Sequence, residues 1–264
     1  MSLSRLVLFS LVFLSSHFAA AQQPSSPPSP QAPQRDTQAI AILQQSVATM
    51  ASIAPTDSTA SGTVTIVEGS TTQSGSIQIL TRGTSQTAET LTLPDGKREV
   101  VYSNGDAKEI NGSGSANPPL ELIVSDQCPD FPLPLLLSAL NNSDESFRYI
   151  GQETLNGVAV QHVQIWNSFA SKRRLQKLAP FSLKDIWIDI QSGTPLKIAY
   201  SRRAGGGAVP AIPIEVTFSN YTKVNGVLYP FQINKSMTGT PWQTITIQSV
   251  SFNTGLTATQ FQVE

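Results

Sequence analysis

Few side chains in this sequence are equipped for acid–base or nucleophilic chemistry. The chain has two histidines, and His17 lies in an apolar leader, so His162 is the imidazole available to the rest. It sits in Val158-Ala-Val-Gln-His-Val-Gln-Ile165, an alternating run that reads as a strand. A catalytic imidazole needs a nucleophile and an orienting carboxylate from elsewhere in the fold. No Gly-x-Ser-x-Gly elbow is present to present such a nucleophile, and a plain strand histidine is the expectation. Asp185 and Asp189 share a strand face, but at about 3.3 Å per residue they stand about 13 Å apart, too far for a carboxylate pair on one strand. Asp189 abuts a turn and reads as structural. Cys128 is the sole cysteine, which excludes an intramolecular disulfide and a His/Cys metal site. Within Asp126-Gln-Cys-Pro-Asp130 it reads as a small packed loop residue, with a reactive thiol as the alternative. No catalytic residue, metal or cofactor is therefore expected.

The elements that must position these residues begin after a leader. Arg5 followed by the apolar run Leu6–Phe18 and the small residues Ala19-Ala20-Ala21 matches a secretory signal, with cleavage expected after Ala21. The run is too short for the roughly 20 residues of a spanning helix. Residues 22–37 are rich in proline and serine and lack apolar periodicity, as in an extended tether. The folded domain is expected over residues 38–264. Losing Arg5 leaves sixteen basic against eighteen acidic residues. That balance argues against a nucleic-acid partner, which demands a basic face. Periplasmic or secreted localisation, no membrane span and a monomer are expected.

Asp36 is placed to cap a helix whose apolar stripe is Ile40, Leu43, Val47 and Met50. Short alternating runs follow: Gly62–Val67, Gly75–Leu80, Ser85–Leu93 and Lys97–Tyr102. Asn111–Pro119 reads as a flexible loop, and Leu120–Val124 and Leu133–Leu140 as two short apolar helices. Strands resume at Phe147–Gln152 and Val158–Trp166, with Lys172-Arg173-Arg174 in a loop. Asp185–Gln191, Leu196–Tyr200, Ile214–Thr222, Val227–Asn234 and Trp242–Phe252 complete the set. Asn156-Gly157 and Asn225-Gly226 lie between alternating segments, the strongest short-range hairpin signal. These observations predict a mainly β fold, an up-and-down antiparallel sheet of about eleven strands that curls, with helices available to cover its concave face.

The leading helix, the Gly75–Gly114 meander, Trp187-Ile-Asp-Ile-Gln-Ser-Gly-Thr-Pro-Leu196, Thr217-Phe-Ser-Asn-Tyr-Thr-Lys-Val-Asn-Gly-Val-Leu-Tyr-Pro230, Phe252-Asn253 and Phe261 carry a resemblance. Over residues 38–264 the chain resembles the LolA-like and LolB-like periplasmic lipoprotein-carrier superfamily of bacteria. The resemblance implies an incomplete β-barrel whose hydrophobic concave face, covered by helices, holds acyl chains. It carries over no catalytic residue. An arginine near the cavity mouth regulates lid opening in the carriers, and Arg82 falls in the corresponding region.

Two classes of function follow. One is an exported, non-enzymatic carrier of a lipid, acyl chain or lipoprotein, with Ile77, Ile79, Leu91, Ile188, Phe218, Ile233 and Ile245 as cavity candidates and Arg82 as gate. The other is an envelope interaction or sensor protein whose half-barrel is filled by its own helices and whose partner is a protein. Trp166, Trp187 and Trp242 read as sheet core that merges with the cavity wall. Lys172-Arg173-Arg174 and Arg202-Arg203 read as solvated loop charge, with contact to an anionic head group as the alternative.

Overall fold

A computed structural model describes residues 33–127, 130–203 and 210–263. The leader and most of the tether lie outside the described residues, as does Cys128. The helix capped by Asp36 forms as its sequence predicts: α1 spans Thr37–Met50, and Asp36 Oδ1 accepts from the backbone N–H groups of Gln38 and Ala39. Asp36 Oδ2 also accepts from the Tyr149 N–H at 2.9 Å. These bonds hold its carboxyl below the usual range, Tyr149 contributing most. The helix is thus pinned to the sheet as well as capped.

The sheet has thirteen strands, two more than the sequence pattern predicts: β1 Asp57–Glu68, β2 Thr71–Arg82, β3 Gln86–Leu93, β4 Gly96–Ser103, β5 Asp106–Asn111, β6 Gly114–Ala116, β7 Glu145–Leu155, β8 Val158–Asn167, β9 Lys184–Asp189, β10 Pro195–Arg202, β11 Ile212–Val224, β12 Val227–Met237 and β13 Thr240–Phe252. The additional pair is the hairpin β5–β6, which occupies part of the expected Asn111–Pro119 loop. Apart from the exposed Ile110 its residues are polar or small, so no apolar period announces it, and as an edge hairpin it has no need to bury one. Between β6 and β7 come α2, Leu120–Asp126, and α3, Pro132–Asn141. A 3₁₀ helix over Arg173–Phe181 replaces the expected loop between β8 and β9. Asn156, Asn225 and Asn104 take φ of 50°, 47° and 55° ahead of glycines at 85°, 86° and 98°, the primed turns their Asn-Gly pairs predict.

All pairings are antiparallel, in the order β6-β5-β4-β3-β2-β1-β13-β12-β11-β10-β9-β8-β7. The sheet does not close, because β6 and β7 are its free edges. The first and last strands meet in the middle, along a seam from Ser58↔Phe252 to Ile66↔Gln243. The curled sheet presents an inner face to the helices. There Leu43 and Met50 of α1 and Leu133 and Leu136 of α3, all fully buried, pack into one core with both arms of the half-barrel. A smaller cluster on the outer face joins Ala88 and Val101 to Phe261 from the chain's last turn. No helix among the described residues is long and apolar enough to cross a membrane.

Candidate functional site

Period-two alternation puts Ile77, Ile79, Leu91, Ile188, Phe218, Ile233 and Ile245 on the same, inner face, each at most 8% exposed. They lie beneath α1 and α3, within the packed core. Open space remains where those helices do not reach, and different residues line it.

The larger cavity, about 500 Å³, lies between α2, α3, the 3₁₀ helix and the β3–β4 end of the sheet. Ile123, Val124, Leu135, Ile165, Leu175 and Leu178 give it an apolar wall. Ser85, Asn104, Asn167, Lys184 and Glu145 supply polar groups around it. Burial pushes the Glu145 carboxyl up to about 7, against the pull of Lys184, Asn142 and Arg35. An apolar wall beside a few placed polar groups, in a volume within the roughly 300–1,000 Å³ of small-molecule pockets, suits an amphiphile.

A smaller cavity, about 140 Å³, adjoins it, with Thr87 and Gln127 lining both. Its walls are charged. Lys235 of β12 reaches across the inside of the half-barrel to Asp130 at 2.7 Å and to Glu89 of β3 at 3.3 Å, and Gln243 Nε2 donates to Glu89 at 3.2 Å. Burial favours the protonated form of Asp130, pushed up to about 8. It works against the Lys235 ammonium, but the two carboxylates outweigh it and hold Lys235 charged well above the usual lysine range. Nearby, Arg202 Nε meets Asp126 at 3.2 Å, and Tyr200 donates to the same carboxylate at 2.8 Å. Arg202, expected as solvated loop charge, therefore ends β10 as part of an interior ion cluster. Trp242 lines the cavity too: the β12–β13 register shifts beside Ser236, and the resulting bulge brings Trp242 and Gln243 to the same wall.

His162 belongs to another cluster, on the outer face. Its Nδ1 is 2.7 Å from Glu153 and its Nε2 2.7 Å from Asp185, and its ring stacks on Trp187 at 4.3 Å. Trp187 donates to Glu153 at 2.9 Å and carries Lys197 over its face at 3.9 Å. Only an imidazolium can donate to both carboxylates at once. Burial opposes that charge, but the bonds to Asp185 and Glu153 prevail and raise the histidine pKa. No hydroxyl nucleophile among the described residues bonds the ring. The cage is more than a plain strand histidine implies, and half of it was legible: the Asn156-Gly157 hairpin sets Glu153 diagonally beside His162. Asp185 depends on the β8–β9 register, which no turn motif declares. A raised folded-state pKa stabilises the fold below the ordinary histidine value of 6.5, and that contribution is lost as pH rises through the folded value. Urea unfolding of the wild type should therefore show stability falling as pH rises above about 6.5, a fall to which the raised carboxyls of Glu145 and Asp130 add. His162→Gln should make that fall shallower, and an unchanged slope would remove His162 as a contributor.

Asp189 caps the turn after β9, accepting from the Gln191 N–H and the Ser192 hydroxyl. Trp166 and Trp187 lie on the outer face, under Arg148 and Lys197. Arg82, at the end of β2, donates from Nε to Leu256 O at 3.1 Å and from Nη1 to Gln86 at 2.6 Å. It thereby holds the C-terminal strap, which Asp57 also grips through the N–H groups of Thr254 and Gly255.

No protein-family model matches the chain, and neither does any curated protein. Solved structures do match its fold. A domain assigned to outer membrane lipoprotein sorting in Vibrio parahaemolyticus aligns with a TM-score of 0.59 at 15% identity, over 85% of this chain and 96% of that one. A LolA superfamily protein from Nitrosomonas europaea aligns at 0.56 and 11% identity, over 85% and 97%. A DUF1329 family protein from Desulfovibrio piger aligns at 0.56 and 13% identity, over 85% and 97%. The fold is LolA-like.

Proposed function

We propose that this protein is an exported, non-catalytic carrier or binding protein for an acyl-bearing amphiphile of the bacterial envelope, either a lipid or an acylated polypeptide. The observation that carries this reading is the 500 Å³ cavity with its apolar wall between α2, α3 and the sheet. The LolA-like fold shared with a lipoprotein-sorting domain supports it. Displacing α3 from the inner face would extend the cavity over Ile77, Ile79, Leu91, Ile188, Phe218, Ile233 and Ile245, making room for longer chains. In this reading α3 is both plug and lid.

The test is native mass spectrometry of mature protein recovered from a bacterial periplasm, paired with titration of a fluorescent 16-carbon fatty acid. Bound lipid or saturable uptake is expected. Leu135→Glu puts a carboxylate into the apolar wall at a half-buried position, and should weaken uptake at least tenfold while the protein still folds. Uptake unaffected by Leu135→Glu would place the ligand elsewhere. A second reading has its own support: α1 and α3 already fill the middle of the half-barrel with Leu43, Met50, Leu133 and Leu136, all fully buried. A lipid-free mass with no uptake would favour that reading, an interaction protein with a self-filled half-barrel.

A further inference from the structure

The smaller cavity has a charge imbalance that its own side chains do not resolve. Among the described residues, four carboxylates line it, Glu89, Glu109, Asp126 and Asp130, against two cations, Lys235 and Arg202. Each cation is already divided between two acids. Lys235 serves Glu89 and Asp130, and Arg202 serves Asp126 at 3.2 Å and Glu109 at 3.9 Å. At neutral pH the interior compensates in part by retaining a proton on Asp130, since two buried carboxylates beside one ammonium cannot both remain ionised cheaply.

One further observation shows that the wall is incomplete. The Trp242 indole N–H, set on this wall by the β12–β13 bulge, is buried without an acceptor among the described residues. Buried polar groups rarely stay unpaired. Aromatic rings of Tyr102, Tyr200 and Trp242 complete the lining. Acidic groups among aromatic faces recognise ammonium groups, through charge and through the ring quadrupole together. At about 30 Å³ per water-sized group, 140 Å³ holds about four or five non-hydrogen atoms. That is the size of an ethanolamine.

We infer that the smaller cavity is the head-group subsite for an amphiphile carrying a primary ammonium of about ethanolamine size. The inference rests on the carrier reading, because the chain of that molecule runs past Thr87 and Gln127 into the larger cavity. The ammonium supplies the positive charge that the retained proton otherwise provides. The Trp242 indole N–H finds an acceptor in the oxygens next to it. An amphiphile whose only charge is negative meets surplus carboxylates and is disfavoured.

The experiment is displacement of a fluorescent fatty acid from the mature chain by lysophosphatidylethanolamine and lysophosphatidylglycerol of equal chain length. The ethanolamine lipid should displace at a concentration at least tenfold lower. A long-chain alkylamine separates two sources of the same ammonium: equal potency assigns the preference to the amine alone, and weaker potency to the phosphoethanolamine unit. Glu109→Gln, at a partly exposed rim position where folding is not at risk, should reduce the preference at least threefold, by weakening the ethanolamine lipid and relieving the repulsion of the glycerol lipid. Equal displacement by the two lysolipids, or an unchanged preference in Glu109→Gln, overturns the head-group assignment and leaves acyl binding intact. Displacement by neither lipid, with no uptake of the fatty acid, overturns both.

Discussion

Replacing Lys235 by methionine should lower stability by about 3–5 kcal/mol, the cost of leaving buried charge uncompensated. Lys235 is the shared partner of Glu89 and Asp130, and no other cation meets either carboxylate among the described residues. In a domain of this size the loss corresponds to a drop in melting temperature on the order of 10 °C. The effect belongs to the cluster and not to lysine as such. A buried ion pair replaced whole by neutral groups of similar shape is often close to neutral. The triple variant Glu89→Gln, Asp130→Asn, Lys235→Met should therefore recover most of the loss. Thermal unfolding of the single and triple variants is the check. A single variant as stable as the wild type, or a triple variant worse than the single one, would sink the account.

A second large effect is expected at the seam between β1 and β13. A Cβ built on Gly62 would lie 2.1 Å from Thr246 O and 2.8 Å from Ile247 Cα, both backbone atoms of the neighbouring strand. Backbone cannot swing aside as a side-chain tip can. Gly62 also sits where the β1–β13 register shifts, next to Ser61. Valine there must push the two strands apart along the ladder that joins the halves of the sheet, a cost at or above the upper end of the about 1–3 kcal/mol typical of overpacking. Gly112→Ala is the control, because its Cβ would meet nothing within 4 Å. Urea unfolding should show a large fall in midpoint for Gly62→Val and almost none for Gly112→Ala. A midpoint for Gly62→Val close to that of the wild type would show that the seam yields more easily than its geometry implies.

Sequence reasoning reached the local devices. Asp36 announced α1, Asn-Gly pairs announced the hairpins, and alternation assigned Ile77 to the same face as Ile79 because a strand repeats every two residues. It did not reach what depends on register between distant strands. Glu89 and Lys235 are 146 residues apart and meet because the sheet curls until β12 faces β3 across its interior. Neither residue has a local signature, since a charged residue in an alternating strand ordinarily reads as solvent-facing. Trp242 joins the inner wall through a bulge, which inverts the parity that alternation alone would assign. The helices decided which apolar inner-face positions became core and which lined open space, and the packing of α3 is not written in the strands it covers.

The seam also orders events in time. Strands β1–β6 each pair with their neighbours in sequence, and so do β7–β13, but β1 has its outer partner only in β13. Until Phe252 is available, the first half keeps a twelve-residue strand edge unpaired at the future centre of the molecule. Long-range pairing of this kind pays its loop-closure entropy before any contact rewards it, so it is slow and leaves adhesive edges exposed meanwhile. The polar residues at and around that edge, Thr59, Ser61, Thr63 and Thr65, alternate with the apolar ones that become core. They leave the waiting strand one hydrophilic face, a safeguard against association with the wrong neighbour during its delay.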